Sequence, residues 1–335
     1  SGPKIKRRYR LSIMDQDGAN PSFLTGGDFI VLSPRFSPTS QEITFMAYEG
    51  ESPRVFLMNL ETGQRELVGN FPGMTFAPRF SPDGTRVAFG HGATENVNDD
   101  ADLWVLDVER GARTRVTFGG NNRYYPIWTR DGTRLTYADS SGNHNSLLSS
   151  RTDGSGGVET LLELGDRRFP SSWHPDGRTL AYYVGPAGVA TNSRDIWMLR
   201  VSGDERTPSP FIETPFTERG AIFSPDGSWV AYVSDKSGQT EVYARPFPGP
   251  GEEVTISVGG GVEPAWGPSG NDLFYRREGE LVVVVLRRTG ASLSVGAPSR
   301  VMEDRFRRDS TGSVGGAANY DVAPDGSHFV VLESA

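Results

Sequence analysis

The sequence contains no cysteine, and this absence removes several kinds of chemistry at once. Disulfides, cysteine-ligated zinc, iron–sulfur clusters and thiol nucleophiles are all excluded. Long apolar runs are missing as well. The longest, Leu281 to Leu286, is far shorter than the roughly 20 residues that a membrane helix needs, so we expect no membrane span.

Basic residues are too few for a protein whose main partner is a polyanion. Lys and Arg number 34 against 42 Asp and Glu, which gives a net charge of -8 and a pI near 5.2. This balance argues against nucleic acid or an anionic membrane surface as the main partner. The one basic cluster, between Lys4 and Arg10, is interpreted as a solvated strand or terminus, because isolated charge runs usually face water.

Glycine and proline, in contrast, are abundant, with 41 and 23 of the 335 residues. That share is too large for a helical bundle. Hydrophobic residues at 36% and aromatic residues at 10% can still build a substantial core. The composition therefore favours a folded, turn-rich chain.

An internal repeat indicates the architecture. An aromatic or apolar residue followed by a Ser-Pro-Asp-Gly-like turn occurs seven times. The copies begin at Phe36, Phe80, Trp128, Trp173, Phe223, Trp266 and Val322. Proline presets φ at the first central position of such a turn, Asp suits the second, and Gly accepts the left-handed conformation that closes a bulged hairpin. Each copy is therefore predicted to be a hairpin.

The strand after each turn alternates and ends in an aromatic residue in six copies, as a half-buried strand requires. We predict that these aromatic residues belong to the core. They are Phe45, Phe89, Tyr137, Tyr182, Tyr232 and Tyr275.

A second Gly-containing turn lies between successive copies and also occurs seven times. Two hairpins make four strands, and about 48 residues per repeat is the length of a propeller blade. The sequence thus predicts an all-β, seven-bladed β-propeller of four-stranded antiparallel blades, forming a single domain over residues 1–335. The predicted repeats are 33–74, 75–122, 123–168, 169–217, 218–260, 261–317 and a composite blade of 318–335 plus 1–32. In the composite blade, N-terminal outer strands pair with C-terminal inner strands and close the ring.

Two stretches resemble known propellers. Residues 4 to about 84, with Ile13-Met-Asp-Gln-Asp-Gly-Ala-Asn20 and Gly63-Gln-Arg-Glu-Leu-Val-Gly-Asn-Phe-Pro-Gly73, resemble the propeller of the TolB family. Residues 221–335, with Gly259-Gly-Gly-Val-Glu-Pro-Ala-Trp266, resemble TolB-like propellers fused to bacterial serine/threonine kinases. The TolB propeller has six blades, whereas this sequence has seven repeats.

The resemblance implies a periplasmic, non-catalytic ring that binds a protein or peptide, with the peptidoglycan-associated lipoprotein as its partner. We expect a monomer. Three alternatives stay open from the sequence. They are an engineered or chimeric propeller with no selected partner, a sensor propeller of a kinase-type receptor, and a propeller hydrolase or lyase with a site at the channel mouth.

Motifs for catalysis are missing: the sequence has no Gly-x-Ser-x-Gly, no phosphate-binding Gly-x-x-x-x-Gly-Lys and no His-Glu-x-x-His. The histidines have no partner at motif spacing, so structural roles are favoured for His91, His144, His174 and His328. The oxygen-rich stretch 96–102 is the best cation candidate, but a solvated acidic loop is the favoured interpretation. We predict no enzymatic activity, no catalytic residue, no cofactor and no metal ligand.

The remaining functional signal lies in the loops. Connections that lead into each inner strand, and loops between second and third strands, should share one face of the ring around the channel mouth. Aromatic and Arg side chains of the kind that interface centres favour occur there, although Phe76, Tyr124 and Phe169 could equally pack under the next blade. The predicted partner-binding residues are Phe76, Arg123, Tyr124, Tyr125, Arg168, Phe169, Glu218, Arg219 and Glu263.

Overall fold

A computed structural model describes residues 9–26, 30–39, 41–48, 52–94, 100–119, 123–139, 145–164, 167–185, 194–290, 292–303 and 318–334. Their strands form seven antiparallel sheets arranged as a seven-bladed β-propeller, which confirms the predicted fold class. Within these ranges, no helix is long and apolar enough to cross a membrane.

One blade is built from both ends of the chain. Its outer strands are β1 (Tyr9–Asp15) and β2 (Ser22–Phe23), and its inner strands are β28 (Tyr320–Val322) and β29 (His328–Ser334).

Each of the next five blades follows the chain from the channel outwards. The first of them contains β3 (Ile30–Phe36), β4 (Glu42–Tyr48), β5 (Pro53–Asn59) and β6 (Arg65–Leu67). The second contains β7 (Met74–Phe80), β8 (Arg86–Gly92), β9 (Ala101–Asp107) and β10 (Arg113–Arg115). The third contains β11 (Arg123–Trp128), β12 (Arg134–Asp139), β13 (Asn145–Arg151) and β14 (Glu159–Leu164). The fourth contains β15 (Arg167–Trp173), β16 (Thr179–Gly185), β17 (Asp195–Ser202) and β18 (Glu205–Ile212). The fifth contains β19 (Glu218–Phe223), β20 (Trp229–Ser234), β21 (Glu241–Pro246) and β22 (Val254–Thr255).

The sixth blade departs from the four-strand pattern at its outer edge. It contains β23 (Val262–Trp266), β24 (Asp272–Arg277), β25 (Glu280–Thr289), β26 (Ser292–Val295) and β27 (Ser299–Glu303). The long β25 pairs with β27 along its first half and with β26 along its second half. Two short strands therefore share the position that one outer strand occupies in the other blades.

The ring closes in the composite blade as predicted. Seven consecutive residue pairs join β1 to β29, from Tyr9 opposite Ser334 to Asp15 opposite His328. Leu11 and Leu332 from this joint are fully buried and pack in one cluster with Phe45 of the neighbouring blade. The joint therefore supplies both backbone hydrogen bonds and core.

The second-strand aromatic residues form the centre of the blade interfaces. All six are at most 1% exposed, which confirms that they are core residues. Burying an aromatic side chain of this kind stabilises the fold by roughly 2 to 3 kcal/mol.

The Ser-Pro-Asp-Gly-like turns lie together on one face of the ring, which we call the turn face. In the turn of β7 and β8, the Ser81 and Thr85 hydroxyls and the Thr85 N–H all donate to Asp83. Gly84 has a φ of +73°, and a Cβ there would lie 2.3 Å from Thr39 Oγ1 of the preceding blade. The turn glycine therefore serves both the turn conformation and the contact with the neighbouring blade.

The opposite face, which we call the loop face, carries the connections into the inner strands and the loops between second and third strands. This arrangement follows because each inner strand runs from the loop face to the turn face and successive strands alternate in direction.

Joining the ends of the chain covalently should raise the stability of the ring. Arg10 and Glu333 lie opposite each other in the β1–β29 pair and are partly exposed, and the chain has no other cysteine to compete. We expect the Arg10→Cys, Glu333→Cys variant to be more stable oxidised than reduced by about 2 to 4 kcal/mol. Thermal melting of the two redox forms tests this, with the reduced form as the control. Identical melting temperatures would contradict the closure.

The turn carboxylates should make stability depend on pH. Burial opposes ionisation of Asp226, but hydrogen bonds from Ser224 and Ser228 and the charge of Arg288 lower its pKa to about 2. Its folded pKa is thus below the unfolded value of about 3.9, so its stabilisation is complete above pH 4 and is lost as the pH falls towards 2.

We therefore expect Asp226→Asn to cost about 1 kcal/mol at pH 7, after allowance for solvent screening of this exposed side chain. The difference from the unsubstituted chain should disappear near pH 2. Urea unfolding at pH 7, 4 and 2.5 measures it, and a gap that stays constant over this range would refute the assignment.

Candidate functional site

The inner strands are bulged where they approach the loop face. In β7, three steps from Phe76 to Arg79 oppose two steps in β8, so β7 has one extra residue, and five other inner strands show the same shift. The residue at the bulge is left-handed in five blades, with φ between 51° and 67°. These residues are Ser33, Ala77, Tyr125, Gly220 and Glu263. A bulge changes where the following side chains point, and a left-handed non-glycine residue costs roughly 1 kcal/mol or more.

An aromatic cluster joins the third and fourth blades at the mouth. The Phe169 ring stacks on Tyr183 with centroids 4.9 Å apart, and Tyr125 meets Phe169 edge-on at 5.5 Å. The Arg194 guanidinium lies 5.5 Å from the Tyr183 centroid. Burial raises the pKa of Tyr183, whereas Tyr125 and Phe169 remain half-buried. The structure thus brings two of the predicted residues into contact.

Phe76 and Arg219 are also half-buried at the mouth. The Phe76 ring lies over Gly90, where an added Cβ would come within 2.4 Å of it. The charge of Arg219 reaches Tyr183 and acts to lower its pKa. These two side chains extend the surface on either side of the aromatic cluster.

Arg123 is placed differently from a surface anchor, because it is only 5% exposed. Its Nη1 donates to Asp102 at 2.8 Å and to the Phe118 carbonyl at 3.0 Å. Its Nε lies 3.5 Å from Asp139. Asp102 also accepts from the Thr117 hydroxyl at 2.8 Å. Arg123 thus joins the second blade to the third and does not offer its charge to solvent.

Arg168 and Glu218 are buried as well. Burial raises the pKa of Tyr182 to about 12, against the charge and hydrogen bond of Arg168. Glu218 Oε1 accepts hydrogen bonds from Thr214 at 2.8 Å and Ser234 at 2.9 Å, and burial raises the pKa of this carboxyl group. Both side chains hold the inner strands against neighbouring loops.

Glu263 belongs to a buried polar chain at the joint between the sixth and composite blades. One of its carboxylate oxygens lies 3.6 Å from Arg276 Nε and accepts from the Asn319 N–H at 3.2 Å. Its backbone carbonyl accepts from the Tyr320 hydroxyl at 2.7 Å. Tyr124 lies in β11, but its side chain is outside the described residues.

Three exposed apolar side chains on the loop face were missed by sequence reasoning. Phe118 is 59% exposed, Phe216 42% and Val258 80%, and all three lie in connections that lead into an inner strand. A signal exists for two of them: Phe118 and Val258 stand between a hydroxyl residue and a glycine. In each case the preceding hydroxyl, Thr117 or Ser257, accepts from the backbone N–H of a third strand. Fixed in this way, the next residue extends outward.

The described histidines make local packing contacts. The Asp176 N–H donates to His174 Nδ1 at 3.1 Å, His91 Nε2 lies 3.0 Å from the Pro72 carbonyl, and His328 lies 3.4 Å from Asp15. His144 and residues 96–99 of the oxygen-rich stretch lie outside the described residues. Across the described ranges, no three His, Asp or Glu side chains are grouped so that they could hold a metal ion.

Comparison with known families identifies the propeller type. The model of the TolB beta propeller domain matches residues 1–193, which is more than half of the chain. The chain belongs to the TolB β-propeller domain family. This match confirms the resemblance over residues 4–84 and extends it through the middle of this TolB-type propeller, whereas residues 221–335 lie beyond it.

Solved structures agree in fold. TolB from Acinetobacter baumannii is 20% identical with a TM-score of 0.52, and the match covers 72% of this chain and 61% of that protein. A putative TolB from Agrobacterium tumefaciens is 17% identical with a TM-score of 0.54, covering 98% and 99%. An oligogalacturonate lyase from Vibrio parahaemolyticus is 15% identical with a TM-score of 0.70, covering 97% and 98%. At these identities the likeness is one of fold, and propeller folds host both binding proteins and enzymes.

Removing the buried Arg123 charge should destabilise this TolB-type propeller strongly. The Arg123→Ala substitution leaves Asp102 and Asp139 buried without their shared cation, so we expect a loss of about 3 to 5 kcal/mol in the free energy of unfolding. The control is Arg113→Ala on the same blade pair, because Arg113 is exposed and should change stability by less than about 0.5 kcal/mol. Chemical denaturation compares them, and equal effects would show that Arg123 does not bridge the blades.

Proposed function

We propose that the chain is a non-catalytic binding ring whose loop face holds a protein or peptide partner at the channel mouth. The observation that carries the proposal is the contrast between the two faces. Exposed Phe118, Phe216 and Val258 lie on the loop face. On the turn face, Asp83 and Asp226 are saturated by their own Ser and Thr neighbours. Exposed apolar side chains near a concave centre are typical of protein-binding surfaces.

The predicted residues then divide into two roles. Phe76, Tyr125, Phe169 and Arg219 are half-buried and can lose their remaining exposure to a partner. The buried residues hold the strands that present them. These are Arg123, Arg168, Glu218 and Glu263. Aromatic and Arg side chains surrounded by a rigid frame are the usual centres of binding energy.

Family membership supports a periplasmic location and a protein partner, and the peptidoglycan-associated lipoprotein is the partner we propose. The likeness to a lyase and to peptidases is one of fold, and no contact at the mouth favours their chemistry over binding.

Polar substitution of the exposed loop-face residues should weaken binding. We expect Phe118→Ser with Phe216→Ser to reduce affinity for the soluble domain of the lipoprotein by about 30-fold, because a central aromatic residue commonly contributes about 2 kcal/mol or more. Isothermal titration calorimetry with the purified chain measures this.

The matched control is Phe23→Ser with Val285→Ser, which changes side chains of similar exposure, 53% and 50%, away from the mouth. Its affinity should stay within twofold of the unsubstituted chain. A larger loss in the control pair than in the loop-face pair would place the interface elsewhere. No binding of the lipoprotein by the unsubstituted chain would refute this partner.

A further inference from the structure

A second feature of the channel lies closer to the turn face than the mouth does. On each inner strand, the residue just before the aromatic or apolar residue that opens the turn is half-exposed. In order around the ring, these residues are Asp321, Arg35, Arg79, Ile127, Ser172, Ile222 and Ala265. Three consecutive blades thus contribute charged side chains, and the other four contribute apolar or small ones.

The two arginines of this section have no carboxylate partner. Arg35 Nη1 donates to the backbone carbonyls of Pro34 and Tyr320, the latter at 3.3 Å. Arg79 Nη1 donates to the Pro78 carbonyl at 2.8 Å. Within the described part of the chain, neither guanidinium has another hydrogen-bond acceptor or an ion pair within 4 Å. Each guanidinium has five N–H donors, so most of them are available to a ligand.

Asp321 does not neutralise the pair. Its Oδ2 accepts from the Phe36 backbone N–H at 2.9 Å, and burial raises the pKa of its carboxyl group. Burial, together with the charge of Arg35, lowers the pKa of Arg79 to about 9. Two cations against one carboxylate leave excess positive charge in this section, in a chain whose net charge is -8.

A confined section with unpaired guanidinium groups on one side and apolar side chains on the other suits one class of ligand. Guanidinium groups form strong charge-assisted hydrogen bonds with carboxylates, and Ile127, Ile222 and Ala265 can cover an apolar group. We propose that this channel section binds an organic carboxylate with an apolar body, held by Arg35 and Arg79. The site is separate from the loop-face surface and does not depend on the function proposed for that surface.

The test uses the full chain and N-acetyl-L-leucine, which combines a carboxylate with an apolar side chain. Calorimetry should detect its binding, whereas N-acetyl-L-leucinamide, which lacks the charge, should not bind. Inorganic phosphate should bind more weakly than N-acetyl-L-leucine because it has no apolar body. No binding of N-acetyl-L-leucine, equal binding of the amide, or tighter binding of phosphate would each overturn the proposal.

Substitutions locate the site. We expect Arg79→Gln and Arg35→Gln each to lower the affinity for N-acetyl-L-leucine about tenfold, since each removes charge-assisted hydrogen bonds. The matched control is Arg245→Gln, because Arg245 is half-buried and donates to one backbone carbonyl, that of Phe211, outside the channel.

Thermal melting provides a readout that needs no ligand. Arg79→Gln removes a confined charge that lacks a counterion, so its melting temperature should equal or exceed that of the unsubstituted chain. Unchanged affinity in both channel variants, a tenfold loss in Arg245→Gln, or unfolding of Arg79→Gln would contradict the assignment.

Discussion

Seven residue pairs between β1 and β29 join the two ends of the chain, and the other blades depend on this joint. Each blade buries one face against its predecessor and the other against its successor, so an open ring would expose two apolar faces and two strand edges. Closure removes both problems with the same few residues. It also keeps the inner strands at a common distance from the axis, and without that neither the mouth nor the channel wall would have a defined shape.

Within the closed ring, the blades are held together differently at their two ends. At the turn face, a glycine of each turn packs on the preceding blade, as Gly84 does on Thr39. Near the loop face, buried polar groups perform this task, with Arg123 between Asp102 and Asp139 and with Glu263 beside Arg276. Buried charges are costly unless they are paired, so these contacts restrict which blade can follow which. The mouth therefore combines a rigid frame with half-buried aromatic residues.

Much of the fold could be predicted from the sequence because one turn recurs with the same chemistry. The count of seven, the composite blade and the buried aromatic residues such as Phe45 all follow from it. The site could be predicted only in part. Tyr125 and Phe169 lie at the mouth and touch each other, but the partner of Arg123 is an aspartate 21 residues earlier in another blade. A repeat shows which positions are equivalent and says nothing of which side chains meet between blades. Arg35 and Arg79 likewise resemble ordinary strand residues until the ring places them around one axis.

The pairing of Tyr9 with Ser334 also determines where the ends of the ring lie. β29 runs towards the loop face and β1 starts from it, so both ends leave the ring side by side at the rim of that face. A domain fused to either end would be tethered beside the channel mouth, where its local concentration would be far above its concentration in free solution. The propeller could then act as a shared platform on which a tethered domain and a diffusing partner compete for one surface or occupy it together.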